Sequence, residues 1–472
     1  MKKLLATILA LVMALGLCSV SWAAETVTVM NESDLKKAID AGGAVTLGDD
    51  ITVTTTLSVT KDLEVNLNNH TLTGAGSVIL VQGAKLVVNG PGTIKEKNPD
   101  YGAIAVKGSN KAEDMNYTTV EVNKDVVLEA WAPIFVTPYQ SSGAPYAYGV
   151  TITVNGATLN AKKDSGAAGG TGVYVNGQIT HTENAPVINL TDTTIYDSDN
   201  ASEGMYLAGY ARTTLTGCTI TGTTGVEIRA GELTVNGGSI TGTATPIGEA
   251  PNGNGSTVTG AGIAVSQHTT MLPLTVTVNG SNVKGYSAFY QVDTLAEMGD
   301  DAGNKKFTEE QVAAAVAKIT LSVNKGVYTA TGEDGQAVYS ENKTGFVSGG
   351  TFSNSVNPTY LADGLNYEVH TNEGYVYYSD VTTAVAAAQA NNAEVNTPGA
   401  EGDPFVIVWD YGYDGISVKV NSATGKIDPP ELKRSGYTFK GWRVNGSNEV
   451  YTNDDISRME VDREGKTFTA VW

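Results

Sequence analysis

Glu232-Leu-Thr-Val-Asn-Gly-Gly-Ser-Ile-Thr-Gly242 is the stretch that decides the fold. An alternating run enters an Asn-Gly-Gly turn, and a second short alternating run leaves it. Aliphatic residues at i and i+2 place one face in a core and the other in water, which is the period of a strand. The phrase recurs along the chain. Upstream it reads Leu67-Asn-Asn-His-Thr-Leu72, Val88-Asn-Gly-Pro-Gly-Thr-Ile94, Val122-Asn-Lys-Asp-Val-Val127 and Val154-Asn-Gly-Ala-Thr-Leu159. Leu190-Thr-Asp-Thr-Thr-Ile195 and Leu215-Thr-Gly-Cys-Thr-Ile220 follow. Downstream stand Val278-Asn-Gly-Ser-Asn-Val283, Val323-Asn-Lys-Gly-Val327 and Val347-Ser-Gly-Gly-Thr-Phe352. Successive copies lie 20 to 45 residues apart; the shortest intervals match one turn of a solenoid, and the longer ones carry insertions.

A third strand accompanies most copies, written as Gly or Ala followed by apolar, variable, apolar. Gly172-Val-Tyr-Val175, Gly204-Met-Tyr-Leu207, Gly225-Val-Glu-Ile228 and Gly262-Ile-Ala-Val265 are examples. Three short strands per coil, each pairing with the coil above and below, make an all-β parallel β-helix. An antiparallel sandwich or propeller is the competing architecture, but the repeats lack its even hairpin spacing. A solenoid needs capped ends. Ser33-Asp-Leu-Lys-Lys-Ala-Ile-Asp-Ala41 is predicted as a capping helix with Ser33 as its cap and Gly42 as its stop. Thr308-Glu-Glu-Gln311 opens an inserted helix as a capping box. Tyr360–Val369 and Gly374–Tyr378 form a closing hairpin.

The surrounding composition agrees. The chain has 472 residues, 54 of them Gly, and is 41% apolar and 17% charged, which is ordinary for a folded protein. Lys+Arg 30 against Asp+Glu 50 gives a net charge of −20, which excludes nucleic acid and disfavours anionic lipid as partners. Met1-Lys2-Lys3, the apolar run Leu4 to Leu17 and Ser21-Trp22-Ala23 read as a secretory signal peptide over residues 1–24. Leu17 is bulky where a lipidated Cys18 would need a small residue before it. Loss of the signal leaves Cys218 as the one cysteine, expected in the core, and excludes an intrachain disulfide. No other run is long enough for a transmembrane segment.

The domains are therefore expected as 25–378 β-helix, 379–404 linker and 405–472 a small C-terminal domain. Asp34-Leu-Lys-Lys-Ala-Ile39 followed by Asp50-Ile-Thr-Val53, Leu63-Glu-Val-Asn-Leu67 and His70-Thr-Leu72 resembles the start of pectate-lyase-like right-handed β-helix proteins. Gly436-Tyr-Thr-Phe-Lys-Gly-Trp442 with Phe468-Thr-Ala-Val-Trp472 resembles the Listeria–Bacteroides repeat, or internalin B-repeat, a β-grasp-like module of exported bacterial proteins. Tyr437, Phe439, Trp442, Phe468 and Trp472 read as its aromatic core. This resemblance implies a surface or secreted protein in contact with cells or polymers. Nothing basic or apolar follows Trp472, so no covalent cell-wall sorting tail is expected and attachment would be non-covalent.

Catalysis on such a solenoid takes an unpaired Arg or Lys with Ca²⁺ on clustered acids, or paired Asp on adjacent coils. Asp49-Asp50 lies at the first coil and Asp300-Asp301 in an insertion, while His70, His181, His268 and His370 share no motif. No catalytic set is assigned. Asp197, Asp199, Asn200 and Glu203 form an oxygen-rich stretch with Ca²⁺ donor chemistry, weighed against a plain solvated turn, and no other cofactor is expected.

Aligning the third strands gives one outward column: Ala105, Phe135, Tyr174, Tyr206, Glu227, Ala264, Tyr290 and Tyr339. The next reads Lys107, Thr137, Asn176, Ala208, Arg229, Ser266 and Gln291. Aromatic faces beside polar groups are how proteins hold sugar rings. The competing reading packs these rings beneath the long insertions. Phe135, Tyr174, Asn176, Tyr206, Glu227, Arg229 and Tyr290 are the candidate binding residues, with Glu227 and Arg229 expected as an exposed ion pair of small value. The expected function is an extracellular or cell-surface bacterial adhesin-like protein engaging a polysaccharide or host/matrix surface. A carbohydrate-active enzyme (lyase or glycoside hydrolase) and a structural envelope stalk are the alternatives. Oligomeric state is not legible.

Overall fold

The computed structural model describes residues 26–98, 101–137, 147–163, 169–200, 202–252, 254–293, 295, 307–400 and 402–472. The segment expected as a signal peptide and Asp300-Asp301 lie outside the described residues. The chain winds into coils of three strands, and each strand pairs in parallel with its counterpart one coil away. Val150–Asn155, for example, lies between Thr118–Val122 and Val187–Thr191 in the first sheet. Thr158–Ala161 lies between Val126–Ala130 and Thr194–Asp197 in the second. The third sheet is ten-stranded and parallel throughout, running from Leu57–Val59 to Val338–Ser340. This is a parallel β-helix.

Burial follows the alternation read from the sequence. Val150, Ile152 and Val154 are buried while Thr151, Thr153 and Asn155 are only partly so. The turn between first and second sheets needs a left-handed residue, and Gly156, Asp192, Gly217 and Gly237 supply it in successive coils with φ of 64, 46, 65 and 79°. Gly and Asp tolerate that region where a branched side chain does not. The residue after this turn points inward, which is why Cys218 is buried and its thiol is pushed up by desolvation. Asparagines flanking the turn form ladders along the stack. Asn89 donates to Asn66 at 2.9 Å and Asn123 to Asn89 at 2.8 Å. Each amide donates to the next, so the ladder holds adjacent coils in one register.

Helix α1 (Glu32–Ala41) caps the first coil with Leu35 and Ile39 buried. Its cap is Asn31, which accepts the Asp34 N–H, rather than the expected Ser33; Gly42 ends it at φ 78°. Helix α2 (Glu309–Val316) opens with the Thr308–Gln311 capping box. At the far end the strands Tyr367–Thr371 and Gly374–Tyr378 form an antiparallel hairpin, and Thr351–Phe352 pairs antiparallel with its second strand.

A second core begins there. The 379–404 stretch, read from sequence as a linker, carries helix α3 (Val381–Asn391), capped by Asp380, with Val381, Ala384, Val385 and Ala388 packed into that core. Val395–Asn396 then bridges the closing hairpin to Ser417–Ser422. Beyond it lies a mixed sheet in which Phe405–Asp410 and Lys466–Val471 pair in parallel, flanked by antiparallel Ser417–Ser422 and Gly441–Val444. Trp442 and Phe468 are fully buried around Trp409, while Phe439 and Trp472 pack from the rim. Tyr437 is a correction: it is 57% exposed, its ring lying on the Arg434 guanidinium at 3.9 Å rather than in the core.

Candidate functional site

The register of the third sheet aligns Ala105, Phe135, Tyr174, Tyr206, Glu227, Ala264, Tyr290 and Tyr339 as one column. The neighbouring column ends differently from expectation. Ser266 pairs with Val292, whereas Gln291 pairs with Val265 and is fully buried, bonded to Ser340.

Over its first half this face is open. A groove of about 570 Å³ runs across it, walled by Leu80, Tyr101, Phe135, Lys107, Thr137 and Asn176, with Ala105 on its floor. Tyr101 is 54% exposed. The Lys107 side chain forms no ion pair among the described residues, and no carboxylate lines the groove there. Phe135 meets Tyr174 edge-on with centroids 5.2 Å apart, and Tyr174 meets Tyr206 at 5.5 Å and a 30° tilt. Trp131 joins them, 5.5 Å from Tyr174, with its indole N–H donated to Gly169. The rings thus form a herringbone rather than a flat rung, with Phe135 at the groove and Tyr206 covered. Trp131 and Tyr101 lie outside the strand code that exposed the column, whereas Leu80 stands in it, one coil before Ala105.

The second half is roofed. The 43-residue interval before Val278 contributes an antiparallel hairpin, Gly248–Asn252 with Gly255–Thr259, laid over the column. Val258 packs with Ala264 and Val292, the small Ala264 leaving room for it. Beneath the hairpin Glu227 and Arg229 are wholly buried. This overturns the exposed ion pair expected from their spacing. Glu227 accepts from Ser266 Oγ at 2.6 Å and from the Val258 N–H at 3.3 Å. Arg229 donates to Tyr206 Oη and to the Asn254 carbonyl, each at 2.5 Å, and its Nε lies 3.9 Å from Glu227 without a hydrogen-bond acceptor.

Glu203 joins this cluster rather than the oxygen-rich loop. Its Oε2 is shut off from water and has no partner. Burial, then the neighbouring Glu227, hold its carboxyl well above the usual range against the pull of Arg229. Burial likewise pushes Glu227 up to about 7, opposed by Arg229, Ser266 and the Val258 N–H. Tyr206 is raised to about 12 by burial. Tyr290 sits at the hairpin's edge, stacked on Tyr339 at 4.9 Å and donating to Glu249 at 2.9 Å.

The remaining candidates do not converge. Asp197 accepts the N–H of Asp199 at 2.7 Å and of Ser202 at 2.6 Å, and Asp199 accepts that of Lys163. The Asp197 carboxylate therefore shapes the turn around Asn200, while Glu203 lies with Glu227 and Arg229. Among the described residues no group of three His, Cys, Asp or Glu side chains gathers as a metal site. The histidines are dispersed: His70 lies 3.5 Å from Asp50, His181 stacks on Tyr148, His370 on Tyr375, and His268 is buried beside Thr270. Among the described residues no helix is long and apolar enough to cross a membrane. No family model, curated protein or solved structure matches the chain significantly.

Proposed function

We propose that the chain is an exported glycan-binding protein that holds a polysaccharide along the open half of the third sheet. One observation carries this reading: a groove on the solenoid face in which aromatic rings, a lysine without an ion pair among the described residues, Thr137 and Asn176 lie side by side. Aromatic faces suit the C–H faces of sugar rings, and the amide, hydroxyl and ammonium suit hydroxyl groups. Strand-borne side chains hold a fixed spacing of about 4.8 Å per coil, so successive contacts can repeat along a polymer. Export rests on the leader-like residues 1–24. The likenesses to pectate-lyase-like β-helices and to the Listeria–Bacteroides repeat favour the same setting, outside the cell or at its surface.

The test is incubation of the chain with plant, host and bacterial polysaccharides, with Ca²⁺ and with EDTA, scoring bound glycan and released product together. Retention without product, weakened by Phe135→Ala and Tyr174→Ala, supports the reading. New reducing ends or unsaturated-uronate absorbance would replace it with a carbohydrate-active enzyme. Neither retention nor product would leave a structural stalk, and retention only on protein matrix would move the partner to a host surface.

A further inference from the structure

The hairpin of Gly248–Asn252 and Gly255–Thr259 forms a two-stranded sheet of its own, paired with neither face of the solenoid. A lone two-stranded hairpin is marginal in water, so its seat depends on what holds it down. The apolar contact is Val258 with Ala261, Ala264 and Val292, flanked by Ile247, Tyr290 and Tyr339. Polar ties do the rest: the Val258 N–H to Glu227, Thr224 Oγ1 to the Val258 carbonyl, Arg229 and the Thr269 N–H to the Asn254 carbonyl, and Tyr290 to Glu249.

The charges under this seat do not balance. Glu227 and, from the adjacent strand, Glu203 face the single guanidinium of Arg229. Among the described residues the other titratable groups around them are Tyr206 and Tyr174 on the preceding coils, held neutral by burial, and His268, whose Nδ1 accepts the Thr270 N–H. On the hairpin itself Glu249 is engaged by Tyr290. Closing the hairpin over two ionised carboxylates and one arginine leaves a surplus negative charge around the wholly buried Glu227 and Arg229, which is costly.

We propose that the hairpin is a proton-locked cover on the C-terminal end of the groove, closed while the Glu203–Glu227 pair holds a proton and released when both carboxylates are ionised, so that the binding face lengthens to include Tyr206 and Arg229. The consequence for ligand rests on the glycan-binding reading; the lock does not. A carboxyl whose closed-state pKa is raised favours closure below its ordinary value and loses that advantage as pH climbs through the raised one. As pH climbs through the raised range of the Glu203–Glu227 pair, the closed-to-open ratio falls by roughly tenfold or more. Long glycan chains would therefore gain contacts at neutral pH that they lack in acid.

The experiment is amide hydrogen exchange of the full-length chain between pH 5 and 8.5, corrected for intrinsic chemical rates. Residues 248–259 are compared in the wild type, Glu227→Gln and Glu203→Gln, with circular dichroism as the check on folding. Glu203→Gln removes one buried charge without removing a hydrogen bond to Oε2, so it keeps the test open should Glu227→Gln fail to fold. Wild-type hairpin protection should drop at least tenfold from pH 5 to 8 while the strands beneath stay protected, and either variant should keep its hairpin protected at pH 8. A wild-type profile flat with pH, or variants that follow it, overturns the lock. Retention of xylan, hyaluronan and mucin glycans is measured at both pH values. Opening without any retention supports the lock and overturns the glycan reading; retention with a pH-independent hairpin does the reverse.

Discussion

The third sheet has two halves built on one strand code, and they differ in everything except that code. From Leu80 to Asn176 the outward residues meet solvent in an open groove; from Tyr206 to Val292 they meet a hairpin. The strands are in the same register and the same face points outward in both. What separates them is an insertion before Val278 long enough to fold back across the face. An Arg–Glu pair spaced two apart is of little consequence in the first setting. In the second it becomes a buried cluster whose parts depend on one another. The strand code thus sets the direction of a side chain, and the insertions set the medium it points into.

The largest effect should come from removing the cation under the roof. Arg229→Met takes the counter-charge from Glu203 and Glu227 and should cost about 3–5 kcal/mol in denaturant unfolding at pH 6, where the hairpin is closed. A loss below 1 kcal/mol would show that water reaches the cluster and that the two halves are alike. Next, stability should depend on pH through Glu227. Because its pKa is raised to about 7, its share of stability is full below 4.5 and is lost as pH rises through 7. The loss amounts to at most about 3 kcal/mol, and Glu227→Gln should flatten that part of the pH–stability curve. Equal slopes in the two proteins would remove Glu227 from the account.

In the open half the effects should fall on binding instead. Phe135→Ala and Tyr174→Ala should each weaken glycan retention by about 0.5–1.5 kcal/mol, or roughly two- to tenfold, while Tyr290→Ala does not weaken it. If Tyr290→Ala weakens retention as much, the ligand runs along the hairpin side and the comparison is inverted. Smallest of all, Lys107→Ala should leave stability within about 0.5 kcal/mol of wild type, since this partly exposed lysine has no ion pair to lose. A larger drop in melting temperature would mean that Lys107 supports the fold rather than faces a ligand.

Much of this was legible in the residues. The Val-Asn-Gly phrase located the turn between sheets, because only a Gly or a short polar residue accepts its left-handed backbone. The Gly/Ala-led strands gave the correct outward column from Ala105 to Tyr339, because a period of two leaves no choice of face once the register is set. The capping box at Thr308 was equally local. Ser33 lies two residues past the cap of α1, Asn31, which accepts the Asp34 N–H; both residue types cap helices, and residue type alone does not choose between them. Tyr437 was placed in the core by its aromatic neighbours, yet Arg434 holds its ring at the surface.

The sequence alone therefore determined the coil, its turns and the direction of each side chain on it, because these follow from backbone geometry within a few residues. Tertiary structure alone decided which of those side chains see water. The hairpin that covers Glu227 and Arg229 arrives from 19 or more residues downstream, and nothing in a strand's own pattern records what an insertion will be laid across it. The same holds for Glu203, six residues from Asp197 in the chain, whose partners proved to be a glutamate and an arginine one coil away. Burial depends on long-range packing, and with it the pKa of Glu227 and the charge imbalance beneath the roof.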